Sequence, residues 1–432
     1  MALIFIIALC ARILLFFVFS DIRGISVFWD GADDIRAYVA LAKNIVTYGS
    51  FISQNGFTPE SWYTPGYPLF LAFFWRLFHS WIPVIAVQII LSSFTAAIIC
   101  RIGKRFHKKI GIGAGLLFAL EPFSIYISLF LWSETIFVFL FVAFMYYFIE
   151  FLDTQKKTNA IYAAVFIALA MYVKQSVFFL PFLLVLFINK KNIAGFFIFF
   201  ILSIGFISPW ILRNKIIFDS WALGASSSAT LFFSDAIPFE EYRVSDSKIR
   251  YLVGAEDKKN NGFPKPHGIY TDDAGYGLYY EDFYIDSAKQ IIVEHPVQYV
   301  FFHAIYGIGG FALQDTWRGI LRRGGYKLEG EGFTSAISSF HFKKAFDWIL
   351  SNRLWFAVGI LGHLFAIITF FLMMKGFTFN KITLFLMSIF LYFALTTGPL
   401  SYRERYKFPA TPALYVLAIV GLRKNVLLQL EK

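Results

Sequence analysis

Long apolar runs decide what this chain can become. A helix needs about 20 consecutive apolar residues to cross a hydrocarbon core of about 30 Å. Runs of that kind fall near residues 2–20, 81–100, 111–131, 135–151, 193–209, 353–374, 382–398 and 409–422. Hydrocarbon offers no partner for backbone N–H and C=O groups, so each run is predicted to be a helix that satisfies its own. Two shorter runs, 159–173 and 176–189, reach only about 20 Å at about 1.5 Å per residue. They are predicted to form a hairpin that either crosses a thinned region or turns back, with both ends on one face. With 58% hydrophobic and 16% charged residues over 432 positions, the composition excludes a soluble multidomain protein. The first run has no Lys or Arg before it, holds Arg12 and is followed by no small-residue cleavage site, so it is read as a retained span. Cys10 and Cys100 both lie in apolar segments, which argues against a disulfide framework or a thiolate metal site.

Loop charge gives direction. Residues 101–109 carry five Lys/Arg and no acid, and Lys156/Lys157 and Lys190/Lys191 recur in register, which marks these loops as cytoplasmic. Segments 21–80 and 210–296 then face outward; in 213–296 there are 9 Lys/Arg against 13 Asp/Glu, whereas the whole chain is net +11. The basic excess is therefore a topology signal and no nucleic-acid footprint. Stretch 297–314 is the ambiguous one. If it crosses, Tyr402 to Lys407 (YRERYK) is cytoplasmic; if it lies along the membrane, that motif is external and Lys375, Lys381, Arg423 and Lys424 are internal. The second choice satisfies the positive-inside bias and gives ten spans.

Span parity places Asp30, Asp33, Asp34, Glu134, Lys174 and Arg213 on the outer face. Ionisable groups at membrane depth are costly and default to functional candidates; the plain alternative is that each snorkels to the interface. In the first outer loop, apolar residues at Ile35, Val39, Ala42 and Val46 with a capping Asp33 or Asp34 and a stop at Gly49 predict an amphipathic helix on the membrane. If it extends back to Asp30, then Asp30, Asp34 and Tyr38 share one face. A second short amphipathic helix follows Pro65, Gly66 and Pro68. Trp62, Tyr63 and Tyr67 are read as an interfacial belt or a sugar platform.

In order along the chain stand Asp34 and Tyr38 as Asp-x-x-x-Tyr, Pro-Gly-Tyr-Pro at 65–68, Pro122 with Ser-Glu-Thr at 133–135, Pro-Trp-x-x-Arg-Asn at 209–214, and Arg-Tyr-x-x-Pro-x-x-Pro at 405–412. This series resembles the GT-C superfamily of polyprenyl-phosphate-sugar-dependent glycosyltransferases, the branch akin to protein O-mannosyltransferases and the lipid A aminoarabinose transferase (family 39-like). The resemblance covers about the first 220 residues and, more loosely, the last 40. It implies an all-α polytopic fold, a bundle of about 10–11 transmembrane helices with amphipathic juxtamembrane helices and a small outer segment. The expected organisation is an N-terminal transmembrane module 1–214, an extracytoplasmic segment 215–296 and a C-terminal transmembrane module 297–432.

The resemblance further implies a catalytic acid in the first outer loop, here Asp34, with Asp30 and Glu134 as further catalytic candidates. Arg213, Lys174 and Arg405 are the donor phosphate-binding candidates, and Tyr38, Tyr63 and Trp210 the sugar- or acceptor-binding ones. The expected partners are a polyprenyl-phosphate-linked sugar, a glycan, lipid or protein acceptor, and the bilayer. Location in a bacterial inner membrane with an extracytoplasmic active site follows. No cofactor is expected: the seven His (His79, His107, His267, His295, His303, His341, His363) show no ligand spacing, and an activated lipid-linked sugar needs no nucleotide site. The expected reaction has Asp34 as general base on an acceptor hydroxyl, with Arg213 and Lys174 neutralising the departing phosphate and inversion at the anomeric carbon. A polytopic transporter or lipid flippase is the rival; it calls for broken helices at the midplane and two related halves, where this chain puts its charges at span ends.

Overall fold

The computed structural model describes residues 1–30, 33–54, 56–244, 278, 281–328, 342–398 and 404–430. Regular structure among the described residues is helical, apart from one isolated bridge between Ile52 and Pro59. Among the described residues, five helices are long and apolar enough to cross a bilayer: α1 (Ala2–Arg23), then Ile82–Gly103, Glu134–Thr154, Ile193–Phe218 and Arg353–Gly376. In chain order the first loop adds α2 (Asp33–Tyr48) and α3 (Gly66–Phe78), and Ile82–Gly103 is α4. Next come α5 (Lys108–Leu120), α6 (Pro122–Ile127), α7 (Glu134–Thr154), α8 (Lys157–Val173), α9 (Gln175–Phe187) and α10 (Ile193–Phe218).

The run at 111–131 is interrupted, contrary to the expectation of one continuous span. Pro122 cannot donate to the helix, and the Glu121 carboxylate instead accepts from the Phe123 and Ser124 N–H groups, starting a new helix at the break. The Arg12 guanidinium fills the space beside it, fully buried, donating to Ser92 Oγ at 2.8 Å and to the Ala8 and Ala119 carbonyls at 3.0 Å. Arg12 therefore ties α1, α4 and α5 together. The helix α10 passes through Pro209; Ser208 Oγ donates to the Gly205 carbonyl (2.8 Å), the acceptor that proline leaves without its helical N–H.

The bundle centres on α7, where Phe137, Phe141, Phe144, Phe148 and Phe151 are all fully buried. Successive rings of this ladder sit 5.6–6.0 Å apart, a spacing at which aromatic edges and faces attract. Outward-facing Phe, Leu and Ile on α1 and α10 (Leu14, Phe17, Ile201, Ile216) are the surface a lipid solvent requires.

The C-terminal part contributes α11 (Ser226–Thr230), α12 (Ile237–Val244), α13 (Glu281–Glu294), α14 (Pro296–Phe302), α15 (Gly310–Leu313) and α16 (Arg318–Arg323). It ends with α17 (Phe342–Ser351), α18 (Arg353–Gly376), α19 (Lys381–Thr396), α20 (Glu404–Lys407) and α21 (Thr411–Leu430). Stretch 296–313 is tied to one pole of the bundle at two points: His303 meets Asp235 (3.0 Å) and the Leu395 carbonyl (3.2 Å), while Lys407 Nζ donates to Ala312 O (2.7 Å). That pole also gathers the end of α8, the start of α7 and the start of α2. At the opposite pole Arg105 pairs with Glu150 and Asp153.

Candidate functional site

Helix α2 begins at Asp33, with Ile35, Ala37, Tyr38, Leu41 and Ala42 buried against the bundle. Asp34 therefore sits in the first turn and Tyr38 one turn further along the same face. Asp30 is not part of this helix: its N–H donates to Ser26 O (2.8 Å), closing the preceding turn, and its side chain is exposed. The expected face of three residues reduces to Asp34 and Tyr38. The Asp33 side chain, Tyr402, Arg403, His267, His341 and most of 245–280 lie outside the described residues.

Four charged side chains from distant segments meet here. Arg405, on α20, pairs with Asp34 Oδ2 and lies 3.9 Å from Glu134 Oε1 through Nε. Lys174, at the tip between α8 and α9, donates to Glu134 Oε1 at 2.7 Å. Tyr63 donates its hydroxyl to Asp34 Oδ1 at 2.9 Å, and Tyr38 Oη lies 3.3 Å from Ser133 Oγ. The rings of Tyr38, Tyr63 and Tyr67 pack with centroids 4.9 Å apart and form an aromatic wall. The Tyr406 ring stands 5.5 Å from the Arg405 guanidinium and 5.8 Å from Lys174 Nζ.

The electrostatics favour the charged forms of Asp34 and Arg405. Burial pushes the Asp34 carboxyl up, but Arg405, the Tyr63 hydroxyl and Lys174 together outweigh it, so the group stays below the usual carboxylate range. Burial likewise opposes the charge on Arg405, and Asp34 and Glu134 more than restore it. Three buried polar atoms at this site have no hydrogen-bond partner among the described residues: Glu134 Oε2, Arg405 Nε and Trp132 Nε1. Such atoms are costly when left unmet, and here they converge around one guanidinium. The arrangement offers a carboxylate for a proton and two cations for an anion.

Arg213 is placed elsewhere. Its guanidinium lies 4.7 Å from the Trp210 ring and 5.0 Å from that of Phe218, donating to Glu60 O (2.7 Å) and Asn214 Oδ1 (2.8 Å). Because α10 continues through Pro209, Arg213 becomes part of the docking of the outer segment and makes no contact with the quartet. Trp210 is buried and donates Nε1 to Leu223 O (2.7 Å), and its ring packs edge-on to Phe51 (5.4 Å). It has no free face for a sugar. Glu60 links the two regions, accepting from the N–H groups of Trp62 (2.6 Å) and Tyr63 (3.2 Å); burial raises its carboxyl to about 7.

Sequence reasoning passed over Trp132, Ser133 and Tyr406 as site-forming residues. Their adjacency to Glu134 and Arg405 is the signal that identifies them. The outer segment docks on the first loop: Ala225 N–H donates to Ser61 O (2.9 Å), and Trp62 packs against the cluster of Phe232, Ala236, Tyr284 and Ala288.

Residues 63–212 match the family model of the dolichyl-phosphate-mannose-protein mannosyltransferases. Tyr63, Glu134 and Lys174 fall inside that stretch, Asp34 and Arg405 outside it. The resemblance to the GT-C superfamily read from the motifs agrees with this match. Among solved structures, the chain is similar to ArnT from Cupriavidus metallidurans bound to undecaprenyl phosphate, at 10% identity and a TM-score of 0.40, covering 97% of this chain and 78% of that one. A comparison with curated protein sequences finds no match.

Proposed function

We propose that this chain is a multi-pass membrane glycosyltransferase of the GT-C type, which moves a sugar from a polyprenyl-phosphate-linked donor to an acceptor at the extracytoplasmic face of a bacterial inner membrane. The observation that carries the reading is the quartet of Asp34, Arg405, Glu134 and Lys174, with polar atoms left unmet around Arg405. The family match of 63–212 supports the reaction class. The outward placement rests on the basic loops 101–109, 156–157 and 190–191 lying at the other pole.

In the resting site Asp34 and Arg405 hold each other. A donor phosphate competes for Arg405 and Lys174, which frees Asp34 Oδ2, and an acceptor hydroxyl takes the place of Tyr63 at Oδ1. The acceptor oxygen attacks the anomeric carbon, the carbon–oxygen bond to phosphate breaks, the acceptor proton passes to Asp34, and the departing phosphate gains the negative charge. Two cations already in place stabilise that charge without reorganising at the moment of reaction. Attack opposite the phosphate inverts the anomeric centre. Glu134 positions both cations, and none of these steps calls on a metal or other cofactor. Arg213 and Trp210 are assigned to docking of the outer segment 215–296, which recognises the acceptor as glycan, lipid or protein.

The test is reconstitution in proteoliposomes with a panel of polyprenyl-phosphate sugars and an envelope fraction as acceptor, followed by mass spectrometry. Transfer of label to the acceptor fraction supports the reading. Movement of intact donor between leaflets without transfer would instead support a flippase.

A further inference from the structure

The tip between α8 and α9 carries Lys174, and three distant parts of the chain hold that tip. Lys174 is the first residue off the helix: its N–H still donates to Ala170 O (2.8 Å), but its own backbone is extended (φ −147, ψ 125). From the first outer loop, Gly66 sits directly on the last turn of α8. A Cβ there would stand 2.6 Å from Tyr172 O and 3.0 Å from Val173 N, backbone atoms that cannot swing aside. The glycine of the Pro-Gly-Tyr-Pro motif thus sets how closely α3 approaches α8. From the outer segment, Ser226 Oγ at the start of α11 accepts from the Gln175 amide. Gly224 lies against the same side chain, where a Cβ would stand 3.1 Å from Gln175 Oε1. From the C-terminal module, the buried Tyr392 of α19 donates its hydroxyl to Ser176 O at 2.7 Å.

These restraints bracket Lys174, acting on Tyr172 and Val173 before it and on Gln175 and Ser176 after it. A loop tip at the surface of a bundle is ordinarily where a chain is least constrained, so a tip fixed from three sides calls for a reason. Lysine supplies one. Its ammonium is a point charge on a flexible stem with no planar fork to orient it, so the place of Nζ depends on where the backbone is held. Here Nζ falls 2.7 Å from Glu134 Oε1 and 5.8 Å from the Tyr406 ring. Misplacing a positioned group by about 1 Å can cost roughly a hundredfold in rate.

We infer that Gly66, Tyr392, and Gln175 with Ser226 are positioning residues that act on the reaction through Lys174. The inference rests on the proposed reaction for the use made of that ammonium. The test pairs single-turnover transfer with thiol labelling, on the full chain in proteoliposomes. Tyr392→Phe and Ser226→Ala each remove one hydroxyl at the far end of a restraint, and the melting temperature moves by a few degrees at most. Each lowers the transfer rate about tenfold in the parent, and by less than about twofold where Lys174 is already Met, because the effect passes through that side chain. Gly66→Ala, which forces the last turn of α8 away from α3, follows the same pattern with a larger loss. In a Cys10→Ser background, Lys174→Cys is labelled by a water-soluble methanethiosulfonate, and adding Tyr392→Phe raises the labelling rate severalfold. Equal losses in the parent and Lys174→Met backgrounds would show a structural role alone and overturn the inference while leaving the proposed reaction standing, as would unchanged labelling in Tyr392→Phe. A Lys174→Met variant that transfers at the parent rate would remove Lys174 from the proposed reaction, and the inference with it.

Discussion

Removing Arg405 probes the site at its hinge. In Arg405→Ala, Asp34 and Glu134 keep Tyr63 and Lys174 as partners but lose the guanidinium between them. Breaking a buried ion pair costs about 3–5 kcal/mol; with the Asp34 side chain 23% exposed and able to take a proton, the loss of stability is expected nearer about 2 kcal/mol. Catalysis suffers more. Losing one preorganised donor to a developing anion costs about 3–4 kcal/mol, roughly a 10²–10³-fold fall in kcat. The pH dependence changes as well. With Arg405 present Asp34 is held low, and its ionised form is available throughout the neutral range. Without Arg405, burial dominates and moves the carboxyl up, so the acid limb of the rate profile shifts to higher pH. The assay is the initial rate of transfer in proteoliposomes against donor concentration and pH, with melting temperature as the folding control. Arg405→Lys, which keeps charge without the planar fork, is expected to fall between. A folded Arg405→Ala variant within about threefold of the parent kcat, with an unshifted acid limb, would refute the role given to this residue.

Two further outcomes are expected. Glu60, fully buried with its carboxyl raised to about 7, holds a proton in the folded state between an ordinary value of 4.5 and 7 that the unfolded chain has released. Stability should therefore fall by up to about 3 kcal/mol as pH rises through that window and level off above it; thermal unfolding across pH 4.5–8 should show this slope, and Glu60→Gln should flatten it. Arg12→Leu strands the Ala119 carbonyl and the Ser92 hydroxyl inside the bundle, at about 1–3 kcal/mol for each unmet group. The melting temperature should drop by several degrees with donor affinity retained in the folded fraction, and an unchanged melting temperature would show that Arg12 does not tie the helices.

Much of this was legible because lipid simplifies the reading. Apolar run length marks the helices, and span parity with loop charge brings Asp34, Glu134 and Lys174 to one pole before any contact is known. Arg405 depended on how 296–313 runs, which a sequence leaves open; the contacts of His303 and Lys407 tie that stretch to the site's pole at two points. Asp30 is off the face of Asp34 and Tyr38 because it closes the preceding turn onto Ser26 O and α2 begins at Asp33. Arg213 stands apart from the quartet for a different reason. Its position after a proline reads as a span end, yet Ser208 repairs the proline break, and α10 carries Arg213 on into a cage of aromatic rings. The break at Glu121 escaped notice because apolar residues continue on both sides of it.

The central claim is that Asp34 takes the acceptor proton while Arg405 and Lys174 hold the donor phosphate. Asp34→Asn keeps size and hydrogen-bonding reach and removes the base. The decisive measurement is single-turnover transfer from a polyprenyl-phosphate sugar by the parent and by this variant, alongside donor binding. Transfer should fall by about 10²–10⁴-fold while the donor still binds, and the parent's product should carry the inverted anomeric configuration. Full transfer by folded Asp34→Asn, or a product with retained configuration, would contradict it.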